Sequence, residues 1–425
     1  IARGLAQAVE SGELAPGDRL PPQRRVAATL GVDLTTVTRA YAQARAMGVL
    51  EGEVGRGTFV RGAPAPSGPL VDLSMNLPPA PDENWRDLIV RGIAAALRDN
   101  DAAALMTYRS GMGARRDKLA AAAWLSPLLG PVHDSRLFLA PGAQAAIAAL
   151  LPMLARSGDC ILAEPWTYPG FLAAARLFGV RIAPLDCDAE GPVIQALEAQ
   201  IKSLRPKALY LNPTLQNPTT RTIGAARREA LASLAREHDV LILEDDPYGL
   251  LGSAAAPIAT HAPDHVIHVA TLSKAISPGL RTAFVVAPPS LTERVAEALR
   301  AGCQMPTPLL SDMAVRWIEN GAAKNLLKGV IAESAARMKI ARAILPKRAE
   351  GGPLGFHLWM RLPEGWEPQA YSVAARELGV VTVASDEFAA APDGAAHVRI
   401  SLGAPPDRET LARGLRALTT LESGA

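Results

Sequence analysis

Long apolar runs, paired cysteines and, across its first 62 residues, lysine are what this 425-residue chain lacks. No hydrophobic stretch approaches the roughly 18–20 residues that a membrane-spanning helix needs. The three cysteines, Cys160, Cys187 and Cys303, are odd in number and far apart. That spacing argues against a disulfide framework or a zinc site and fits a reducing compartment. His261, His265 and His268 are close in sequence but run through a Pro-Asp turn into a strand, so they read as a solvated turn and strand start, and no metal is assigned. Ile1-Ala2-Arg3-Gly4 has no apolar core behind its charge and reads as a trimmed first helix, not a secretory signal. The expectation is a cytoplasmic protein.

What is present is ordinary globular material: 49% hydrophobic and 20% charged residues. The length exceeds one compact core, so two or three domains are expected. The net charge of +2 is unevenly placed. Residues 1–62 hold eight arginines against six acids, and the other 36 bases and 36 acids cancel. An all-arginine base set suits bidentate contacts to phosphate or guanine, but so small an excess does not by itself establish nucleic-acid binding.

Local signals in that first stretch are clear. Leu5–Val9 reads as a helix ending near Gly12, and Leu14 to Pro22 as a rigid proline-glycine turn. A helix over Gln23–Leu30 turns Val26, Ala27 and Leu30 to one face and stops at Gly31, a left-handed cap. A third helix, about Leu34 to Met47, carries Val37, Ala40, Tyr41 and Ala44 as its inward stripe. Two helices joined by a tight glycine turn make a helix-turn-helix. The runs Val49–Glu53 and Thr58–Arg61, flanking Gly55-Arg56-Gly57, predict a hairpin wing.

The stretch resembles the GntR family of winged-helix repressors, through Gly12, Leu14, Pro16 to Pro21, Arg24, Leu30-Gly31-Val32, Thr36-Val37, Ala40-Tyr41, Gly48 and Gly55 to Val60. The resemblance implies that Arg24 contacts DNA, that the start of the third helix enters the major groove, and that the wing reaches the minor groove. Candidate DNA contacts are Arg24, Arg25, Thr35, Thr36, Thr38, Arg39 and Arg56. One departure is Asp33-Leu34-Thr35, where the family often has an arginine before Thr-Val; Asp33 would instead cap the helix.

Gly62 to Pro69 is a Pro/Gly-rich connector, semi-rigid through its alternating prolines. From Val71 onward, β-rich runs alternate with Ala/Leu helices, the pattern of a doubly wound sheet. Ala208–Leu211, Val240–Glu244, Val266–Ala270 and Ala283–Ala287 read as apolar, buried parallel strands. Residues with chemistry follow the carboxyl ends of the first three, where open α/β sheets bind ligands. These are Asn217-Pro218, Asp245-Asp246-Pro247-Tyr248 and Thr271-Leu272-Ser273-Lys274. Upstream, Pro141-Gly142-Ala143-Gln144 opens a helix whose N-terminus suits a phosphate.

Those residues resemble the class I/II, fold-type I aminotransferases over about 71–425. The resemblance implies pyridoxal 5'-phosphate as cofactor, held as an internal aldimine by Lys274. It implies that Asp245 pairs with the pyridine nitrogen, that Asn217 and Tyr248 bond the phenolic oxygen, and that Tyr168 stacks on the ring. Gly142, Ala143, Gln144, Thr271, Ser273 and Arg281 would hold the phosphate, with Tyr108 reaching the neighbouring subunit's. Arg399 would clamp a carboxylate. Two departures are Thr220, where a glycine is usual, and bulky Trp166 near Tyr168.

A GntR-type head on an aminotransferase-like body resembles the MocR subfamily. The expected layout is a winged helix-turn-helix over 1–62, a linker over 63–70, and a pyridoxal-phosphate-binding body over 71–425. The body would divide into a mostly parallel-sheet large part (about 101–318) and a smaller α+β part (about 71–100 plus 319–425). The leading functional reading is a DNA-binding transcription regulator that senses an amine or amino acid by aldimine exchange at Lys274. The resemblance also implies a homodimer on an operator with paired half-sites. A working aminotransferase with a vestigial head, and a sensor of the vitamin itself, are the alternatives.

Overall fold

The computed structural model describes residues 1–10, 13–15, 17–46, 49–53, 57–60, 69–81, 84–108, 112–252, 255–391 and 396–422. It divides into two compact units, Ile1–Pro69 and Leu70–Ala425. Most of the expected linker, 63–68, lies outside the described residues.

In the first unit, α1 (Ala2–Glu10), α2 (Gln23–Leu30) and α3 (Leu34–Ala46) precede an antiparallel hairpin of β1 (Leu50–Glu53) and β2 (Gly57–Val60). Val37, Ala40, Tyr41 and Ala44 are buried as the inward stripe of α3. Gly31 takes the left-handed conformation (φ 63°) that ends α2. Leu30 departs from the expected apolar face: it is 53% exposed, while Ala27 is buried and Val26 half-buried. The 3.6-residue period keeps Leu30 on the same face as Val26 and Ala27, but it is the last residue of α2, where the packing of the described residues has ended. Asp33 does cap α3, its Oδ1 accepting the Thr35 N–H at 3.0 Å.

The second unit runs in chain order through β3 (Val71–Asp72), β4 (Leu137–Ala140), β5 (Cys160–Ala163), β6 (Arg181–Pro184), β7 (Cys187–Asp188), β8 (Gly191–Pro192), β9 (Ala208–Leu211), β10 (Leu241–Asp245), β11 (Val266–Thr271) and β12 (Ala283–Val286). It continues with β13 (Ala349–Glu350), β14 (His357–Arg361), β15 (Val380–Val381), β16 (Val383–Ala384) and β17 (His397–Ser401). Seven strands form the main sheet in the order β4-β12-β11-β10-β9-β5-β6. Alternate residues of its central strands serve the two faces. Leu243 packs with the helices Ala143–Leu154 and Thr292–Cys303, and Ile242 with Ile194–Leu204 and Ala225–Glu237. A second sheet, β13-β14-β17-β16, packs beneath the helices Ala322–Ile344 and Arg408–Glu422.

Two expectations about the strands need correction. β12 is antiparallel to both β11 and β4, so Ala283–Val286 is not a parallel strand. Eleven residues (272–282) separate β11 from β12, too few for the usual helical crossover, and the chain returns antiparallel. Nor are β10 and β11 wholly apolar. Glu244 and His268 face each other across that pair, both fully buried, with His268 Nδ1 3.1 Å from Glu244 Oε2. His268 is therefore no solvated residue. His265 is half-buried beside Asp239, and His261 is half-buried at a helix end.

Glu244 also accepts the backbone N–H groups of Ile258 and Ala259 at 2.8 and 2.9 Å. Burial works against both charges, yet these bonds hold the Glu244 carboxyl below its usual range and His268 above its own. The pair's contribution is therefore lost as pH falls through the lowered Glu244 pKa, and again as it rises through the raised His268 pKa. Glu244→Ala leaves two backbone donors and a charged ring without a partner, a loss of about 3–5 kcal/mol. All six tryptophans lie between Trp85 and Trp366, so their fluorescence during urea unfolding of the full chain reports the second unit alone. A large drop in that transition's midpoint is expected; an unchanged midpoint would show the pair to be idle.

Candidate functional site

The carboxyl ends of β9, β10 and β11 open into a cleft of about 690 Å³. Its lining includes Lys274, Asp245, Asn217, Tyr248, Tyr168, Ala143, Gln144, Thr271, Ser273, Arg281 and Arg399. Three parallel strands ending level explain the convergence. Asp245 is the last residue of β10, Thr271 the last of β11, and Lys274 lies in the single helical turn Leu272–Ala275 directly after it.

Asp245 is buried, with one carboxylate oxygen engaged and one free. Tyr210 donates its hydroxyl to Oδ2 at 2.6 Å, while Oδ1 is sequestered from water with no hydrogen-bond partner. Burial pushes this carboxyl up to about 6, against the Tyr210 hydrogen bond. Lys274 is pulled the other way: burial lowers its amine to about 8, helped by the Arg399 guanidinium and opposed by Asp245. Its Nζ donates to the backbone carbonyl of Asn76.

Just before the lining residues Ala143 and Gln144, Gly142 caps the helix Ala143–Leu154 with φ 104°, a conformation that favours glycine. A Cβ added there would stand 2.5 Å from Arg281 Nη2. The missing side chain thus lets a guanidinium approach the free N–H groups of a helix N-terminus. The Thr271 hydroxyl accepts the Ser273 N–H at 3.1 Å, capping the turn that carries Lys274. Gln144 donates to the Gly170 carbonyl at 2.9 Å, its Oε1 left unpartnered.

Arg399, on β17, is 7% exposed, and burial lowers its guanidinium to about 10. It donates to Asn217 Oδ1 at 2.8 Å and to the Ser74 carbonyl, and sits 4.9 Å from the Phe388 ring centre. Its Nε has no partner. Tyr248 is buried, and burial holds its hydroxyl well above the ordinary range; Asn76 Nδ2 donates to it at 2.8 Å. Tyr168 precedes the helix Pro169–Leu177, and burial raises its hydroxyl as well.

Tyr108 is not brought to this cleft within its own chain; it is 79% exposed. Trp166 packs away from the cleft lining, edge-on to Trp359 at 5.5 Å and to His397 at 5.0 Å. Thr220 adopts φ 63°, the conformation a glycine would take, and its N–H donates to the Gln216 carbonyl at 2.6 Å.

Tyr210, Asn76, Ser74 and Phe388 were missed in the sequence. Tyr210 had a signal: in the parallel register it stands opposite Leu243, so it shares a face with Asp245 two residues on. Asn76 and Ser74 carried none. They lie in an irregular segment after β3, and only the folded chain brings them to their partners Lys274 and Arg399, which stand 198 and 325 residues away in the sequence.

On the first unit, Arg24, Arg25, Thr35, Thr36 and Arg39 are exposed. Two of the candidate hydroxyls have internal bonds: Thr35 donates to Asp33 at 3.1 Å, and Thr38 lies 2.9 Å from Gln23 Oε1 on α2 and from the Leu34 carbonyl. Thr38 therefore ties α2 to α3. Arg56 lies outside the described residues. No helix among the described residues is long and apolar enough to cross a membrane.

Comparison with known proteins agrees with this division. Residues 69–418 match the family described as Aminotransferase class I and II, and residues 1–60 the family described as Bacterial regulatory proteins, gntR family. An uncharacterized HTH-type transcriptional regulator of Bacillus subtilis, YdeF, is 29% identical over 99% of this chain and 93% of its own length. The vitamin B6 salvage pathway transcriptional repressor PtsJ of Salmonella typhimurium is 27% identical over 88% of this chain and 87% of its own. Among solved structures, the α-aminoadipate aminotransferase LysN of Thermus thermophilus, complexed with N-(5'-phosphopyridoxyl)-L-leucine, superposes with a TM-score of 0.75 at 27% identity, covering 84% of this chain and 92% of that one. The chain belongs to the aminotransferase class I and II family, in the MocR-type arrangement that joins such a body to a gntR-family DNA-binding head.

Proposed function

We propose that the chain is a transcription regulator that binds pyridoxal phosphate at Lys274 and changes its hold on DNA when a small amine or amino acid enters the cleft. The observation that carries the reading is the half-satisfied Asp245 carboxylate in a chain that also has a gntR-type head. A carboxylate oxygen kept from water without a donor costs free energy. A protonated ring nitrogen is the donor that would satisfy it.

Two further features fit the cofactor. Gly142 and Arg281 form a cationic cradle at a helix N-terminus, suited to a phosphate dianion. Lys274, half-buried, lines the same cleft. Pyridoxal phosphate supplies, when bound, a carbonyl carbon that condenses with amines, and a ring that draws electrons away from it. Lys274 then acts as the resident nucleophile, uncharged in a useful fraction at neutral pH because its pKa is near 8. With that group bound, Asp245 would hold the ring-nitrogen proton, Asn217 and Tyr248 would orient the phenolic oxygen, and Tyr168 would cover one face. Arg399 has an unpartnered Nε for the carboxylate of an incoming amino acid. The expected homodimer, paired operator half-sites and cytoplasmic location belong to this reading, as do the arginines 24, 25 and 39 as DNA contacts.

An active aminotransferase is the second reading, favoured by the uncharged Lys274 amine, which could also carry a proton between substrate and cofactor. Single-turnover absorbance separates the two. Rapid conversion to pyridoxamine phosphate, recycled by a 2-oxo acid, marks an enzyme; amine binding that alters DNA affinity without conversion marks a sensor.

Borohydride treatment of the chain with pyridoxal phosphate is expected to add the cofactor's mass to the Lys274 peptide and to no other. Capture should rise with pH through about 8, where the amine loses its proton, not through the roughly 10.4 of an ordinary lysine. A colourless protein with no added mass would refute the cofactor assignment. A fragment lacking residues 1–62 is expected to keep that capture and to lose specific promoter binding in a gel shift. Retained specific binding would move the DNA-reading function out of the head.

A further inference from the structure

We propose that Asn76 is a positioning residue of the cleft: its side-chain amide occupies the lone pair of the Tyr248 hydroxyl and so turns the tyrosine's one proton toward the cofactor's phenolic oxygen. The inference rests on the pyridoxal phosphate reading and assigns the polarity of one hydrogen bond within it.

Four observations support it. Asn76 Nδ2 lies 2.8 Å from the Tyr248 oxygen, and both residues line the cleft. A phenol has a single proton, so a hydroxyl that accepts from an amide has its own O–H to give elsewhere. Accepting one bond also polarises the hydroxyl and makes it a stronger donor. The backbone of the same residue accepts from Lys274 Nζ, so Asn76 touches both cofactor-facing groups from one rigid point.

The segment is held firmly. Asp72 Oδ1 accepts the N–H groups of Ser74 and Met75, and the Leu73 carbonyl accepts from Ser401. Gly403 packs so closely on Leu77 that a Cβ there would meet the Pro79 nitrogen at 3.0 Å. Finally, Asn76 Oδ1 is buried without a partner. An asparagine serving only the fold would have that oxygen bonded within the protein; here it is left unpaired on a residue that lines the cleft.

The test reads the pH at which the bound cofactor's visible band interconverts between its protonated and deprotonated forms. A donor to the phenolic oxygen favours the deprotonated form, so Tyr248→Phe raises the midpoint. Asn76→Asp presents a carboxylate that takes the tyrosine's proton for itself. It is expected to raise the midpoint nearly as far as Tyr248→Phe, by about one unit, a tenfold change in proton affinity. Asn76→Ala, which leaves the proton free to turn, raises it less, and shifts it no further once Tyr248 is phenylalanine.

Should Asn76→Asp fail to fold, the alanine variant measured with and without Tyr248→Phe carries the same test through the loss of its effect in the phenylalanine background. An Asn76→Asp midpoint equal to wild type, or an alanine shift that persists without the hydroxyl, overturns the role of Asn76 while leaving the cofactor reading intact. A wild-type chain that gains no visible band with pyridoxal phosphate overturns both.

Discussion

A buried carboxylate with one oxygen satisfied and one waiting is the constraint around which the second unit is built. Asp245 is 4% exposed, and the protein supplies it with one donor, Tyr210. Inside a low-dielectric cleft the remaining oxygen is a liability by itself and an anchor once a cationic N–H arrives. The surroundings keep the liability small. Tyr210 is fixed by a parallel stack on Phe171 at 3.8 Å, and the Asn212 side chain ties the Asp245 carbonyl at 2.5 Å. The Glu244–His268 pair pins β10 to β11 from the other face of the sheet. Lys274 is the counterpart: burial drives an amine toward neutrality for the same reason that it drives the carboxyl toward protonation. Each group is held away from its ordinary range so that a third can reconcile them.

Much of this was legible in the sequence, because the groups gathered at the cleft sit at strand ends and helix starts, which local pattern reveals. Asn217, Asp245 and Lys274 each follow a short apolar run, and Gly142 precedes an alanine-rich helix. What pattern could not show was pairing across the sheet. Apolar runs look alike whether the strand is parallel or antiparallel, so the reversed β12 went unseen. Glu244 and His268 were hidden for a related reason: each sits in a mostly apolar run that reads as wholly apolar until its partner is found on the neighbouring strand. Asn76 belongs to a third class, residues in irregular segments whose role is conferred only by partners far away in the chain.

Thr220 holds a left-handed backbone conformation that a non-glycine residue rarely adopts. The position takes the left-handed conformation that glycine adopts freely, at a cost of about 1–2 kcal/mol for another residue. Hydrogen bonds around the turn hold it there: Thr220 N–H to the Gln216 carbonyl, Gln216 N–H to the Arg221 carbonyl, and Leu215 N–H to the Thr222 hydroxyl. The loop that delivers Asn217 to the cleft is thus over-determined by its own bonds. In the head, Asp33 and Thr38 make a similar point. Asp33 caps α3 and holds the Thr35 hydroxyl, and Thr38 joins α3 to α2, while Arg24, Arg25 and Arg39 are exposed.

Whether such a cleft treats its ligand as substrate or as signal depends on how the protein responds once the ligand is bound. A ligand can shift a conformational equilibrium only by the ratio of its affinities for the two states, tenfold for each 1.4 kcal/mol. Arg399 is a place where such a difference can arise. Its guanidinium is bonded to Asn217 and to the Ser74 carbonyl, so it already bridges the loop after β9 and the segment after β3. A carboxylate arriving at the unpartnered Nε either joins that bridge or competes with it. In the first case binding stiffens the link between the two segments; in the second it releases the stretch after β3, where the body begins. Only the second gives the amine a mechanical claim on residues that are next to the head in sequence. The geometry of one arginine's three nitrogens is therefore where recognition and signalling would meet.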